Sequence, residues 1–428
     1  MIKMPPSRWS AIEKGKMDAM KSWKKLLSTQ CLSTVIVVCL LAFAPVFGAE
    51  EEKSGTLMDV NRVFGLNVFA DDGWQGEARD LMRRLNAPYE TTEVQGVTVY
   101  SSYAGLFCAG AQVYQTKVRA GENGVEEIEF VFANKGDSVM KSDKMKAQVR
   151  KFQQKLQEDA KTVRKKLSES FGKPKAHGDE SEWSLKEAKI VLTVSRKEFM
   201  KLSVAPPQTG AKQSQVTERR KVRTSIKEKK FTENVSKNDL GDVFIENIPM
   251  VNQGGKGYCG PATVERCLLY YGIEGYDMHE LAEIFDTNKG GGTRMSQIIG
   301  DTGKIVRKYG VELSREKIRL KGIRQAIDNG YPIFRLLFTD DNVEGRMNYV
   351  TKERQGQTVA AQWKKTLSRL PALKKAKQSN HFNLVVGYNE KTEEVGISDS
   401  WGNFAQLRWI PWKDFENTTF DLYVVRPK

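Results

Sequence analysis

Histidine is scarce in this chain, three in 428 residues, and cysteine is almost as rare, at five. Any reaction that needs an imidazole base must therefore draw on His177, His279 or His381. There is no nucleotide-binding loop: the glycines of "NKGGGT", residues 288–293, do not follow a phosphate-binding pattern. No nucleic-acid motif occurs, although Lys and Arg outnumber Asp and Glu by 68 to 53. The excess reads as a solvated basic surface that favours anionic contacts, and no nucleic-acid partner is expected. Internal repeats and a membrane-spanning bundle are also missing. What remains, at 39% hydrophobic residues and this length, is a globular protein of more than one domain.

Residues 21–25, "KSWKK", precede the apolar run "CLSTVIVVCLLAFAPVFGA", which ends at Ala49 and is followed by Glu50, Glu51 and Glu52. Basic, apolar and then polar is the order of an export signal, so residues 1–49 read as a signal peptide, or as an anchor if uncleaved. An exported protein is expected, periplasmic, extracellular or held at the cell envelope. Its mature part keeps Cys108, Cys259 and Cys267, an odd number, which implies at least one free thiol or an intermolecular bond.

The fold class is α+β in two parts. Residues 50–205 form an accessory domain. Trp74, Ala78, Leu81, Met82 and Leu85 fall on one helical face, and Ile128, Phe130 and Phe132 alternate along a strand. Met145, Val149, Phe152, Leu156, Ala160, Val163, Leu167 and Phe171 recur every three or four residues, the mark of a long amphipathic helix. Two further strands, "AKIVLTVS" and "FMKLSVAPP", complete a small sheet for it to cover. His177 sits in the polar stretch "KPKAHGDES" and reads as a surface residue. Residues 206–236 begin with Pro-Pro, are rich in basic residues and lack an apolar period, so they read as a linker. The second domain spans 237–428.

Its chemistry centres on "NQGGKGYCGPATVERC", residues 252–267. Pro261 suits the first turn of a helix, so Cys259 stands where unpaired helix amides favour a thiolate. Cys267, two turns further on the same face, reads as a buried small hydrophobe. His279 follows the capping residue Asp277 and reads as a solvent-facing helical histidine. His381 opens the apolar strand "HFNLVVGY", and a hairpin return through "NEKTEE" to "VGISDSWG" brings Asp399 alongside it. A histidine oriented by a carboxylate can take the proton of a thiol. Gln253, in the loop before the nucleophile, can present an amide donor to an oxyanion beside the Cys259 backbone N–H, an interaction whose loss typically costs about 2.7–4 kcal/mol.

"QGGKGYCGPA", "HFNLVVGY" and "SDSWG", in this order, resemble the papain-like cysteine peptidases, and more narrowly the bacterial branch of peptidases that clip double-glycine leaders. The resemblance covers about residues 240–428. It implies Gln253 at the oxyanion hole, Cys259 as nucleophile, His381 as base, Asp399 as its orienting residue, and Trp401 as a shield over the histidine. It implies a peptide or protein substrate and no metal or cofactor. The leader peptidases usually have aspartate before the cysteine, where this chain has Tyr258. The long separation of Cys259 from His381 is filled by a basic stretch at about 340–380, a candidate to overhang the cleft. The same residues would also serve an acyl transferase, and a binding protein of the same fold that has lost turnover is the reading from outside catalysis.

Overall fold

The computed structural model describes residues 55–428, except residues 95, 140–144, 208–214, 256, 288–292 and 375–378. The expected export segment and most of the "NKGGGT" loop lie outside the described residues. Among the described residues no helix is long and apolar enough to cross a membrane.

The first half is built on an eight-stranded antiparallel sheet. In chain order its strands and a small flanking hairpin (β3, β4) are β1 (Glu90–Val94), β2 (Val97–Ser102), β3 (Leu106–Cys108), β4 (Ala111–Val113), β5 (Gln115–Gly121), β6 (Gly124–Asn134), β7 (Lys175–His177), β8 (Glu180–Ser184), β9 (Lys189–Ser195) and β10 (Phe199–Ala205). The sheet order is β1-β2-β5-β6-β10-β9-β8-β7. The three strands expected from sequence are neighbours at its centre, and the sheet is much larger than expected. Five strands are added, β1, β2, β5, β7 and β8; β1 and β7 are polar and largely exposed, and β2, β5 and β8 mix apolar with polar residues in short, partly exposed runs. His177 is exposed as expected, but it ends a strand and does not lie in a loop.

Helix formation here follows local signals. Thr56 caps the helix α1 (Leu57–Phe64) in a capping box with Asp59. The expected single helix around Trp74 is two pieces, a turn of 3-10 helix at Gly73–Gln75 and α2 (Ala78–Arg84). A short α3 (Lys135–Ser138) follows β6, and the long helix α4 (Met145–Phe171) matches its predicted apolar stripe. Val149, Phe152, Leu156, Ala160, Val163 and Leu167 are buried in one core with Ile128, Phe130, Leu192 and Leu202 of the sheet. The Trp183 indole N–H donates to the Gly172 carbonyl at 2.9 Å, pinning β8 to the end of α4.

The segment 206–236 departs from the expected linker. It contains α5 (Gln215–Glu228), and Ile226 and Phe231 are buried in the core of the second half. Phe231 packs on Tyr270 and Tyr271 with ring centroids 5.6 and 5.0 Å apart. Two apolar side chains among many charges make no period, yet they suffice to anchor the segment.

The second sheet contains β11 (Val235–Lys237), β12 (Val243–Ile245), β13 (Val311–Glu316), β14 (Ile333–Thr339), β15 (Ser379–Asn389), β16 (Glu394–Ser398), β17 (Arg408–Pro411) and β18 (Thr419–Pro427). Its order is β11-β12-β15-β14-β18-β13, with β16 paired to β15 and β17. Against β15 lies α6 (Cys259–Tyr270), whose Val264, Cys267 and Leu268 enter the same core as Phe382, Leu384 and Val385. Then come α7 (Met278–Ile284), α8 (Met295–Arg307) and α9 (Leu320–Asp328).

The basic insertion folds as α10 (Asp341–Glu353) and α11 (Ala360–Ser368). In its described residues it packs on the hairpin strands. Trp363 is buried with Val350, Leu367 and Trp409, and its indole N–H donates to Glu394 Oε2 at 2.9 Å. A last helix, α12 (Trp412–Thr418), connects β17 to β18.

Candidate active site

Cys259 is the first residue of α6, where its own N–H and those of the first turn have no carbonyl within the helix to bond. It is half-buried, while Cys108 and Cys267 are fully buried, and none of the three forms a disulfide. Burial pushes the thiols of Cys108 and Cys267 far up, leaving them as inert apolar side chains.

The helix is fastened to the strand that carries the histidine. Thr263, one turn into α6, donates its hydroxyl to the Phe382 carbonyl at 3.1 Å inside the core. This bond holds residue 259 of the helix beside residue 381 of the strand. His381 lies within interaction range of the Cys259 side chain, and its Nε2 is 2.7 Å from Asp399 Oδ1. With Nε2 committed to the carboxylate, Nδ1 is the nitrogen left for sulfur. The hairpin places Asp399 there: Leu384 of β15 pairs with Ser398, the last residue of β16.

Electrostatics favour an ion pair. Burial works against the Cys259 thiolate, but His381 and the backbone N–H groups of Phe382 and Gly260 outweigh it and lower the thiol pKa. Burial likewise opposes the His381 imidazolium, and the bonds to Asp399 and Cys259 overcome it, raising its pKa to about 10. Asp399, wholly buried, is penalised by desolvation yet held well below the carboxylate range by His381 and Arg408. Thiolate and imidazolium therefore coexist from the lowered thiol pKa up to about 10. Alkylation of Cys259 by neutral iodoacetamide should accordingly fall much less between pH 8 and pH 6 than the roughly 80-fold expected of an ordinary thiol of pKa about 8.5. A profile like the ordinary thiol's would contradict the ion pair.

Gln253 is pinned to the residue after Asp399. Its backbone N–H donates to the Ser400 carbonyl at 2.8 Å, and the Ser400 hydroxyl donates to Gln253 Oε1 at 2.6 Å. Committing the carbonyl oxygen fixes the amide so that its nitrogen is the donor end. Trp401 stacks on His381, centroids 4.8 Å apart and planes at 25°.

Two polar partners of Asp399 were not singled out from the sequence. Asn383 donates from Nδ2 to Oδ1 at 2.9 Å, and Arg408 donates to Oδ2. Arg408 also donates to Glu344 Oε2 at 2.8 Å and to Asn348 Oδ1 at 3.0 Å, so the insertion braces the carboxylate through this arginine. Asn383 sits two residues after His381 and hence on the same strand face, a signal present in "HFNLVV". Arg408 had only the hint of an arginine inside the apolar strand "LRWIP".

His279 corrects the expectation of a solvent-facing residue. It is fully buried, with ring centroids 6.0 Å from Phe199 and 5.9 Å from Tyr258. The capping box of Asp277 and Glu280 does start α7 as expected, but the first half of the chain covers that helix.

Residues 245–424 match the model of the Peptidase_C39 like family. Among solved structures, xylellain, a cysteine protease from Xylella fastidiosa, is similar at 12% identity over 47% of this chain and 90% of that one, with a TM-score of 0.31. No curated protein matches the chain.

Proposed function

We propose, for a chain whose residues 245–424 match the model of the Peptidase_C39 like family, that it is a papain-like cysteine peptidase in which Cys259 cleaves peptide bonds of an extracytoplasmic protein or peptide substrate through a thioester. The observation that carries this reading is the placement of His381 between the Cys259 side chain and Asp399, with Nε2 2.7 Å from the carboxylate.

The Cys259 thiolate attacks the scissile carbonyl carbon, and the carbonyl π electrons move to oxygen. That oxyanion meets donors fixed beforehand, the Gln253 amide and the Cys259 backbone N–H. When the carbonyl re-forms, the C–N bond breaks and the leaving amine takes the proton held on His381. Water then gives a proton to His381 while its oxygen attacks the thioester carbon. The C–S bond breaks, the acid product leaves, and thiolate and imidazolium are restored. Asp399 keeps the imidazole in the useful tautomer throughout, and Trp401 covers its face against water. Export is supported by the basic, apolar and acidic order of residues 21–52.

The test is covalent. A peptidyl acyloxymethyl ketone should inactivate the full-length protein with a single label on the peptide containing Cys259, and new peptide N-termini should form without any added amine. Label on Cys108 or Cys267, or product that depends on an added amine, would overturn the assignment of nucleophile or of hydrolysis respectively.

A further inference from the structure

Tyr258, where the related peptidases usually have aspartate, is fully buried at the start of α6. Its two ends are held by different halves of the molecule. Its carbonyl accepts the first hydrogen bond of α6, from the Ala262 N–H at 2.8 Å. Its ring packs with Ala262, Met278 and Ala282. Its hydroxyl leaves this half altogether, donating to Glu198 Oε1 at 2.8 Å and accepting from the Gly136 N–H at 3.1 Å. Glu198 is in turn ion-paired with Lys135, and both are buried. The fit is close: a Cβ on Gly136 would lie 2.5 Å from the Tyr258 ring.

A second grip falls on the loop that carries Gln253. The Met250 N–H donates to Thr92 Oγ1 at 2.8 Å. The Tyr103 hydroxyl donates to the Asn252 carbonyl, and Asn252 Nδ2 donates to Glu90 Oε2 at 3.2 Å. Gly402, next to Trp401, has φ +97° and lies so near Glu90 that a Cβ would come within 3.1 Å of its carboxylate. Lys201 adds bonds of 2.8 Å to both Asp277 and Glu280 at the start of α7. The first half thus touches the residue before the nucleophile, the residue before Gln253 and the residue after Trp401.

We propose that the N-terminal half is a working part of the catalytic centre, and that Tyr258, held by Glu198 and Gly136, is a positioning residue that sets Cys259 against His381. The proposal rests on the reading of Cys259 as nucleophile. The hydroxyl anchors a ring whose main chain is one peptide unit from the thiol-bearing residue, so a shift of the ring moves the sulfur relative to Nδ1. Misplacement of reacting groups by about 1 Å can cost about 100-fold in rate.

Tyr258→Phe in the full-length protein removes the hydroxyl and leaves the ring. We expect kcat to fall about tenfold or more with KM within about twofold, and the pH of half-maximal iodoacetamide labelling at Cys259 to rise by about one unit. Glu198→Gln keeps an acceptor for the hydroxyl and should lose less than Tyr258→Phe. Should Tyr258→Phe fail to fold, Glu198→Ala combined with Lys135→Met breaks the link from the other side and is read in the same way. Parental kcat and labelling profile in the variant, whatever its melting temperature, overturn the positioning role. Ordinary-thiol labelling in the parent itself removes the nucleophile, and with it this proposal, which separates the two failures.

Discussion

Cys259→Ala abolishes peptide hydrolysis and leaves the protein folded. The side chain is half-buried at a helix start, and the core beneath it is made by Val264, Cys267 and Leu268. Removing one sulfur atom there costs little packing, since an exchange to alanine at a partly exposed site avoids the cavity penalty of a true core position. Without sulfur there is no covalent intermediate, and in triad enzymes loss of the nucleophile lowers kcat by about 10⁶-fold. The measurement is turnover of a peptide substrate by the purified variant, with melting temperature as the control for folding. Cys267→Ala separates chemistry from packing: its thiol is buried and inert, so hydrolysis persists while stability falls. Hydrolysis by Cys259→Ala at even a hundredth of the parental rate would exclude the thioester route.

The contrast between these two cysteines was legible in the sequence because it depends on local position. Cys259 precedes Gly-Pro-Ala at a helix start and Cys267 lies two turns inside the apolar face. The strands of the His381 hairpin were legible for the same reason, an apolar run, a turn and a return. What stayed hidden was partnership across distance. His279 looks like a surface helical residue until Phe199 and Tyr258, from two parts of the chain, close over it. Glu198 and Lys135 are two charges in polar surroundings, and only the fold buries them against Tyr258. The eight-stranded sheet was underestimated because half-exposed edge strands carry polar side chains on their outer faces. The basic linker went wrong in the opposite sense, since Ile226 and Phe231 anchor it without any periodicity.

Asp399→Asn is expected to be severe because of Arg408. Asp399 accepts on both oxygens: His381 and Asn383 at Oδ1, and Arg408 at Oδ2. Asparagine has a single acceptor. If its oxygen faces His381, its NH₂ meets the Arg408 guanidinium, donor against donor; if it faces Arg408, the NH₂ meets the Nε2 proton that holds the useful tautomer. No rotation of the amide satisfies both, and the site is closed to water, with Asp399 fully buried. Breaking a buried pair by removing one partner costs about 3–5 kcal/mol, which should appear as a lower melting temperature. Loss of tautomer control by aspartate lowers kcat by up to about 10⁴-fold in a triad enzyme, and we expect at least about 100-fold here. The double variant Asp399→Asn with Arg408→Met takes away the competing donor, while Glu344, partly exposed, can be solvated once its arginine is gone. It should therefore be more stable and more active than Asp399→Asn alone, a coupling that a double-mutant cycle reads directly. Strictly additive effects would show that Arg408 does not dictate the choice of aspartate at this position.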